Sequence, residues 1–118
     1  MTSLLQCPDG TVLSEIAHGT NSKYYKRHQK GEETSVNSIA CMFAWTQGLL
    51  ALATLEGNPT LRDFAEILES VIMRTVQQGY YTKDIAKLID GKDEVERSKY
   101  LNTFEFIDKV ALKLEARL

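Results

Sequence analysis

Residues 17–37 gather the side chains that could do chemistry. They read Ala-His-Gly-Thr-Asn-Ser-Lys-Tyr-Tyr-Lys-Arg-His-Gln-Lys-Gly-Glu-Glu-Thr-Ser-Val-Asn. Gly19 frees the backbone for a close approach to a ligand. Thr20 and Ser22 add hydroxyls, and a turn here can aim N–H donors at a phosphate. Lys23, Lys26, Arg27 and Lys30 supply positive charge for phosphate oxygens. Tyr24 and Tyr25 are flat and amphipathic, suited to a base or a ribose. Asn37 then opens a helix. As bare chemistry this is an anion or nucleotide site. The competing reading is a solvated basic helix after a turn.

The elements that must position these groups follow from pattern. Ser3 to Cys7 and Thr11 to Ile16 read as two strands joined at Pro8-Asp9-Gly10, a hairpin. Lys23 to Lys30 suits a short helix stopped by Gly31. A second helix, capped by Ser35 or Asn37, carries Met42, Phe43, Trp45, Leu49 and Leu52 to a stop near Gly57. Thr60 and Asp63 suggest a capping box. The helix behind them sets Leu61, Phe64, Ala65, Leu68, Val71, Ile72, Thr75 and Val76 on one face. Tyr80 to Thr82 suggests a short edge strand, and Thr82 a cap for a helix from Lys83 to Ile89. Gly91 to Lys99 is a polar loop with a structural role. Asn102 and Glu105 repeat the capping-box pattern. The last helix is expected to turn Phe104, Ile107, Val110, Ala111 and Leu114 to the core. The fold class is α/β and helix-dominated, a hairpin plus about five helices.

Composition bounds the rest. The 118 residues predict one domain over 1–118, with 43% hydrophobic and 25% charged residues arguing against disorder. A formal charge of −2 gives no reason to expect a nucleic acid, so the basic segment is local. Cys7 and Cys41 fit no metal spacing and read as two buried, reduced thiols. No signal peptide is visible, and the apolar run Leu49–Leu55 is too short to span a bilayer. No membrane partner is expected. The expected location is cytoplasmic or mitochondrial, not secreted.

The string itself carries more. Ala17-His18-Gly19-Thr20, Gln29-Lys30-Gly31-Glu32-Glu33-Thr34-Ser35, Ile39-Ala40 and Phe43-Ala44-Trp45-Thr46 closely resemble the C-terminal part of NADP-dependent isocitrate dehydrogenases of the eukaryotic cytosolic and mitochondrial type. The likeness continues through Gly79, Thr82-Lys83-Asp84, Tyr100-Leu101-Asn102-Thr103-Phe104-Glu105-Phe106 and Asp108-Lys109. The resemblance implies the C-terminal half of the family's large domain. It implies the adenosine side of an NADP site: His18 against adenine, Gly19, Thr20, Asn21 and Ser22 along the turn, Lys23 and Tyr24 at the 2′-phosphate, and Asn37 at the adenine. Asp84 is a weaker candidate near the same pocket.

The family's full chemistry needs Mg or Mn held by carboxylates, arginines for the tricarboxylate, and a Tyr/Lys acid–base pair. None of those motifs occurs here. No catalytic residue and no metal ligand is assigned, and the chain alone is expected not to oxidise isocitrate. The resemblance is looser in two places. Relatives usually carry Arg-His where this chain has Lys23-Tyr24, though more distant bacterial NADP enzymes carry Lys-Tyr. Relatives also intersperse charges along Leu49–Leu55, where this chain has Ala51, Leu52 and Thr54. That wider apolar arc predicts a homo-oligomer through the helix bearing Leu49, Leu52 and Leu55. It also supports an alternative: a repurposed, self-associating small protein that no longer uses the cofactor.

Overall fold

In the computed structural model, which describes residues 2–118, strands β1 (Thr2–Gln6) and β2 (Val12–Ile16) pair antiparallel, with Gln6 opposite Val12 and Leu4 opposite Ser14. The expected turn closes them. Cys7 N–H donates to Thr11 O at 2.8 Å and Thr11 N–H to the Asp9 carboxylate at 2.9 Å. Gly10 sits at φ 91°, a conformation that a side chain would strain. Alternation along β2 turns Val12, Ser14 and Ile16 inward and leaves Leu13 and Glu15 exposed.

Five helices follow: α1 (Ser22–Gln29), α2 (Ile39–Glu56), α3 (Pro59–Gln77), α4 (Lys83–Asp90) and α5 (Thr103–Glu115). A 3₁₀ turn at Arg97–Lys99 precedes the last. The helix-dominated α/β expectation, a hairpin plus about five helices, agrees with this order. The described residues divide into two compact units. One takes in the chain up to His18 and Ile39–Ile72; the other takes in Gly19–Ser38 and Met73–Leu118.

In the hairpin unit, α2 runs beside β2, and the Ser14 hydroxyl donates to Ala44 O at 2.7 Å. Thr46 is fully buried, and its hydroxyl and the Gln47 amide both donate to the Glu69 carboxylate of α3, at 2.6 and 2.8 Å. Ala53, Ala65, Val71 and Ile72 form the apolar interior here. The face expected for α3 is the face it buries. Its start is different. Asn58 caps it, with Oδ1 accepting the Leu61 N–H at 3.1 Å, and Pro59 occupies the first helical position. Thr60 therefore lies inside the helix, because proline's fixed φ suits that first position and asparagine outranks threonine as a cap. α2 has 18 residues and is long and apolar enough to cross a membrane, yet its Thr46 and Gln47 are spent on lateral bonds within this unit. Cys7 and Cys41 are free thiols as expected, but not buried: Cys7 is half-buried and Cys41 exposed.

The other unit is tied by polar bonds between segments distant in sequence. The Asn102 side chain accepts the Glu105 N–H, and the Glu105 carboxylate accepts the Asn102 N–H, the expected capping box of α5. Phe106 and Val110 are its buried residues. Phe104, at 62% exposure, Ile107 and Ala111 face outward, contrary to the expected stripe. Apolar residues surround much of this helix, so two faces compete and periodicity does not choose between them. Tyr80 to Thr82 supplies one parallel bridge, Thr82 to Leu101, rather than a strand.

Candidate functional site

The basic helix and the Thr82-Lys83-Asp84 turn meet in the second unit. A cleft of about 310 Å³ is lined by Lys23, Tyr24 and Arg27 of α1, Glu33, Thr34 and Ser35 of the following segment, Lys83, Asp84 and Lys87 of α4, and Tyr100. That volume falls at the lower end of small-molecule sites. α1 places Lys23 and Arg27 one turn apart, and α4 does the same for Lys83 and Lys87, so each helix turns a pair of cations to one side.

Ser35 holds this arrangement. Its hydroxyl donates to Leu101 O at 2.6 Å and accepts the Lys83 N–H at 2.9 Å. It thereby satisfies a first-turn donor of α4 rather than serving the helix that follows it in sequence. Thr82 stands at the N-cap position of α4, but its hydroxyl donates to the Asp84 carboxylate instead of capping the backbone. The second Asp84 oxygen accepts from Asn37 Nδ2 at 2.8 Å. Asp84 is thus a tether between α4 and Asn37, and the bond fixes which way the Asn37 amide faces.

A second cluster fixes the segment that forms the cleft floor. Arg97 Nε donates to both Glu33 oxygens, at 2.9 and 3.1 Å, and Nη2 donates to Glu33 and Glu105. Arg97 Nη1 donates to Tyr100 O at 2.8 Å, and the guanidinium lies 5.1 Å from the Tyr100 ring centroid. Hydrogen bonds from Arg97 hold Glu33 below the usual carboxylate range, with Asn102 adding to the effect. Glu105 is lowered first by the Asn102 N–H and then by Arg97. The loop expected to be structural is structural for this reason.

The residues expected to contact cofactor fall as follows. Lys23 and Tyr24 line the cleft, and Asn37 is bonded to Asp84 at its wall. Gly19, Thr20, Asn21 and Ser22 lead into α1 in the same unit, all exposed, and do not line the cleft. A Cβ at Gly19 would meet no atom within 4 Å, so the fold itself does not demand glycine there. His18 closes the segment assigned to the hairpin unit and is exposed, which removes the reading of a core histidine. Sequence reasoning missed Lys83, Lys87 and Tyr100. The i, i+4 spacing of the two α4 lysines was the available signal. Among the described residues no three His, Cys, Asp or Glu side chains gather as a metal site, so the donors needed for Mg or Mn are not assembled here.

No family model matches the chain. Curated relatives do. An isocitrate dehydrogenase [NADP] of Nicotiana tabacum is 55% identical over 119 aligned positions, covering 100% of this chain and 28% of the relative. The cytosolic and peroxisomal isocitrate dehydrogenases [NADP] of Arabidopsis thaliana are each 53% identical, again over all of this chain and 29% and 28% of their own lengths. The whole chain is similar to part of an NADP-dependent isocitrate dehydrogenase. It spans somewhat over a quarter of the length of these relatives. The resemblance read from His18-Gly19-Thr20 onward and this identity agree on the family to which the chain is similar.

Proposed function

We propose that the chain is the C-terminal part of an isocitrate dehydrogenase-like large domain and binds the adenosine and 2′-phosphate side of NADP in the α1–α4 cleft. The observation that carries this reading is the convergence of Lys23, Tyr24, Asp84 and, through Asp84, Asn37 on one polar cleft. Lys23 and Tyr24 meet the 2′-phosphate. Gly19, Thr20, Asn21 and Ser22, which lead into α1 within the same unit, are assigned to the turn beside the cofactor on the resemblance alone. None of the family's metal, substrate or acid–base motifs occurs in the sequence, and on that ground the chain is proposed not to turn over isocitrate by itself. A divalent ion, when bound by the family's carboxylates, would polarise the substrate's developing carbonyl; no residue assigned here takes part in that step.

Titration with NADP and NAD tests the reading. NADP should bind more tightly, and Lys23→Ala should weaken NADP about tenfold or more, the worth of one charge-assisted hydrogen bond. Equal affinity for the two cofactors, or a Lys23→Ala chain that binds NADP like the parent, would overturn it. Isocitrate-dependent NADPH formation above a contamination control would overturn the claim of no independent activity.

One observation favours a second reading, a repurposed self-associating protein. α2 is apolar nearly all round, with Trp45 at 70% exposure and Leu52 and Leu55 also exposed. Beside it, Ile16, Cys41, Ala44, Trp45, Leu49 and Leu52 line a mostly apolar recess of about 550 Å³. A homo-oligomer through this helix would cover it.

A further inference from the structure

We infer that Lys87 is a second cationic contact for the 2′-phosphate on the adenosine ribose and helps set the preference of the cleft for a ribose that carries it. The inference rests on the cofactor reading above. Four cations and two carboxylates line the cleft. Glu33 is paired with Arg97 and bonded by Asn102, whereas Asp84 accepts from the neutral Asn37 amide and Thr82 hydroxyl, which orient it and leave its charge in place. On each helix one member of the basic pair is also compensated. Arg27 pairs with Glu32 at 2.7 Å on α1, and Lys83 approaches Glu94 at 3.6 Å on α4.

The remaining member on each helix, Lys23 and Lys87, has no ion pair among the described residues. One uncompensated ammonium therefore comes from each of the two helices that border the cleft. Lys87 is also half-buried, where a charge without a counter-ion is costly and an arriving anion is favoured. It borders an adjoining recess with Asp84 and Lys92, so its flexible stem has room to reach into the cleft. A phosphate monoester carries about −1.5 to −2 charges at pH 7. Each phosphate of a dinucleotide's pyrophosphate bridge carries about one. Two ammonium groups lining one cleft match the monoester.

Calorimetric or NMR titration with adenosine 2′,5′-bisphosphate and with adenosine 5′-monophosphate tests this, using the parent, Lys87→Ala and Lys87→Arg, each checked for a native-like NMR spectrum. Lys87→Ala should weaken the bisphosphate about tenfold while changing the monophosphate about twofold or less, and Lys87→Arg should restore most of the loss. A Lys87→Ala chain that binds the bisphosphate like the parent overturns the assignment and leaves the cofactor reading standing. Equal losses for the two nucleotides also overturn it, since they mark a general effect. A parent chain that binds neither nucleotide overturns the cofactor reading itself, and this inference with it.

Discussion

The two units solve different problems with the same helical material. In the unit of Gly19–Ser38 and Met73–Leu118, long-range polar bonds do the joining. Ser35 reaches Leu101 and α4, Thr103 bonds both Thr34 and Val36, and Arg97 gathers Glu33 and Glu105. The hairpin unit has fewer such ties and more apolar surface along α2 and its recess. Directional bonds hold a cleft at a fixed shape, which suits recognition of a small polar ligand. Exposed apolar surface is non-directional and suits a broad cover. The cofactor reading and the self-association reading thus draw on different units, and only the second gives up the cofactor.

The contrast breaks most severely if the polar unit proves not to need its core. Phe106 is fully buried. Phe106→Ala should cost about 3–5 kcal/mol in denaturant unfolding. A loss under about 1 kcal/mol would mean that polar ties alone hold that unit, which general experience of core truncations contradicts.

A smaller effect tests the apolar unit. Leu52→Arg should weaken self-association by about tenfold or more, given that burying a leucine is worth about 1.5–3 kcal/mol. Sedimentation of parent and variant over a concentration series reads this directly. A parent that stays monomeric at high concentration, or a variant that assembles equally well, removes the self-association reading and leaves the cleft untouched.

The smallest effect is the sharpest probe of the polar unit. Glu33 and Glu105 are held below their ordinary value of 4.5 in the folded chain. Their contribution is therefore complete above that value and is lost as pH falls below it, through the depressed folded pKa values. Both groups are solvent-exposed, so the loss should be modest and should shrink in high salt. Arg97→Met should flatten this acid limb of the stability–pH curve. An unchanged limb would show that the cluster adds nothing to folding.

Sequence reasoning succeeded where the signal was local. Asp9-Gly10 fixes the hairpin turn, Asn102 and Glu105 lie three apart in a box, and α3 has one clear apolar face. It failed where a residue's partner is remote. Ser35 was legible as a cap, but the helix it serves begins at Lys83, dozens of residues away. Thr60 lost to Asn58 because the proline between them decides where the helix starts. Phe106 was hidden because Phe104 and Ile107 offered an equally good stripe, and only packing selects between two apolar faces. The cleft was half legible. Lys23, Tyr24 and Asn37 stood in a recognisable string, whereas Lys87 gains meaning only once α4 is seen beside α1.

Trp45, the chain's one tryptophan, stands at the rim of the α2 recess, while the cleft has tyrosines, Tyr24 and Tyr100. The protein therefore carries an optical reporter at the recess. Covering the recess would move Trp45 from water to an apolar surround and shift its emission to shorter wavelength. A ligand in the cleft leaves Trp45 uncovered, so the shift reports on the recess. One cuvette can then tell whether a partner has found the recess, without a label on either.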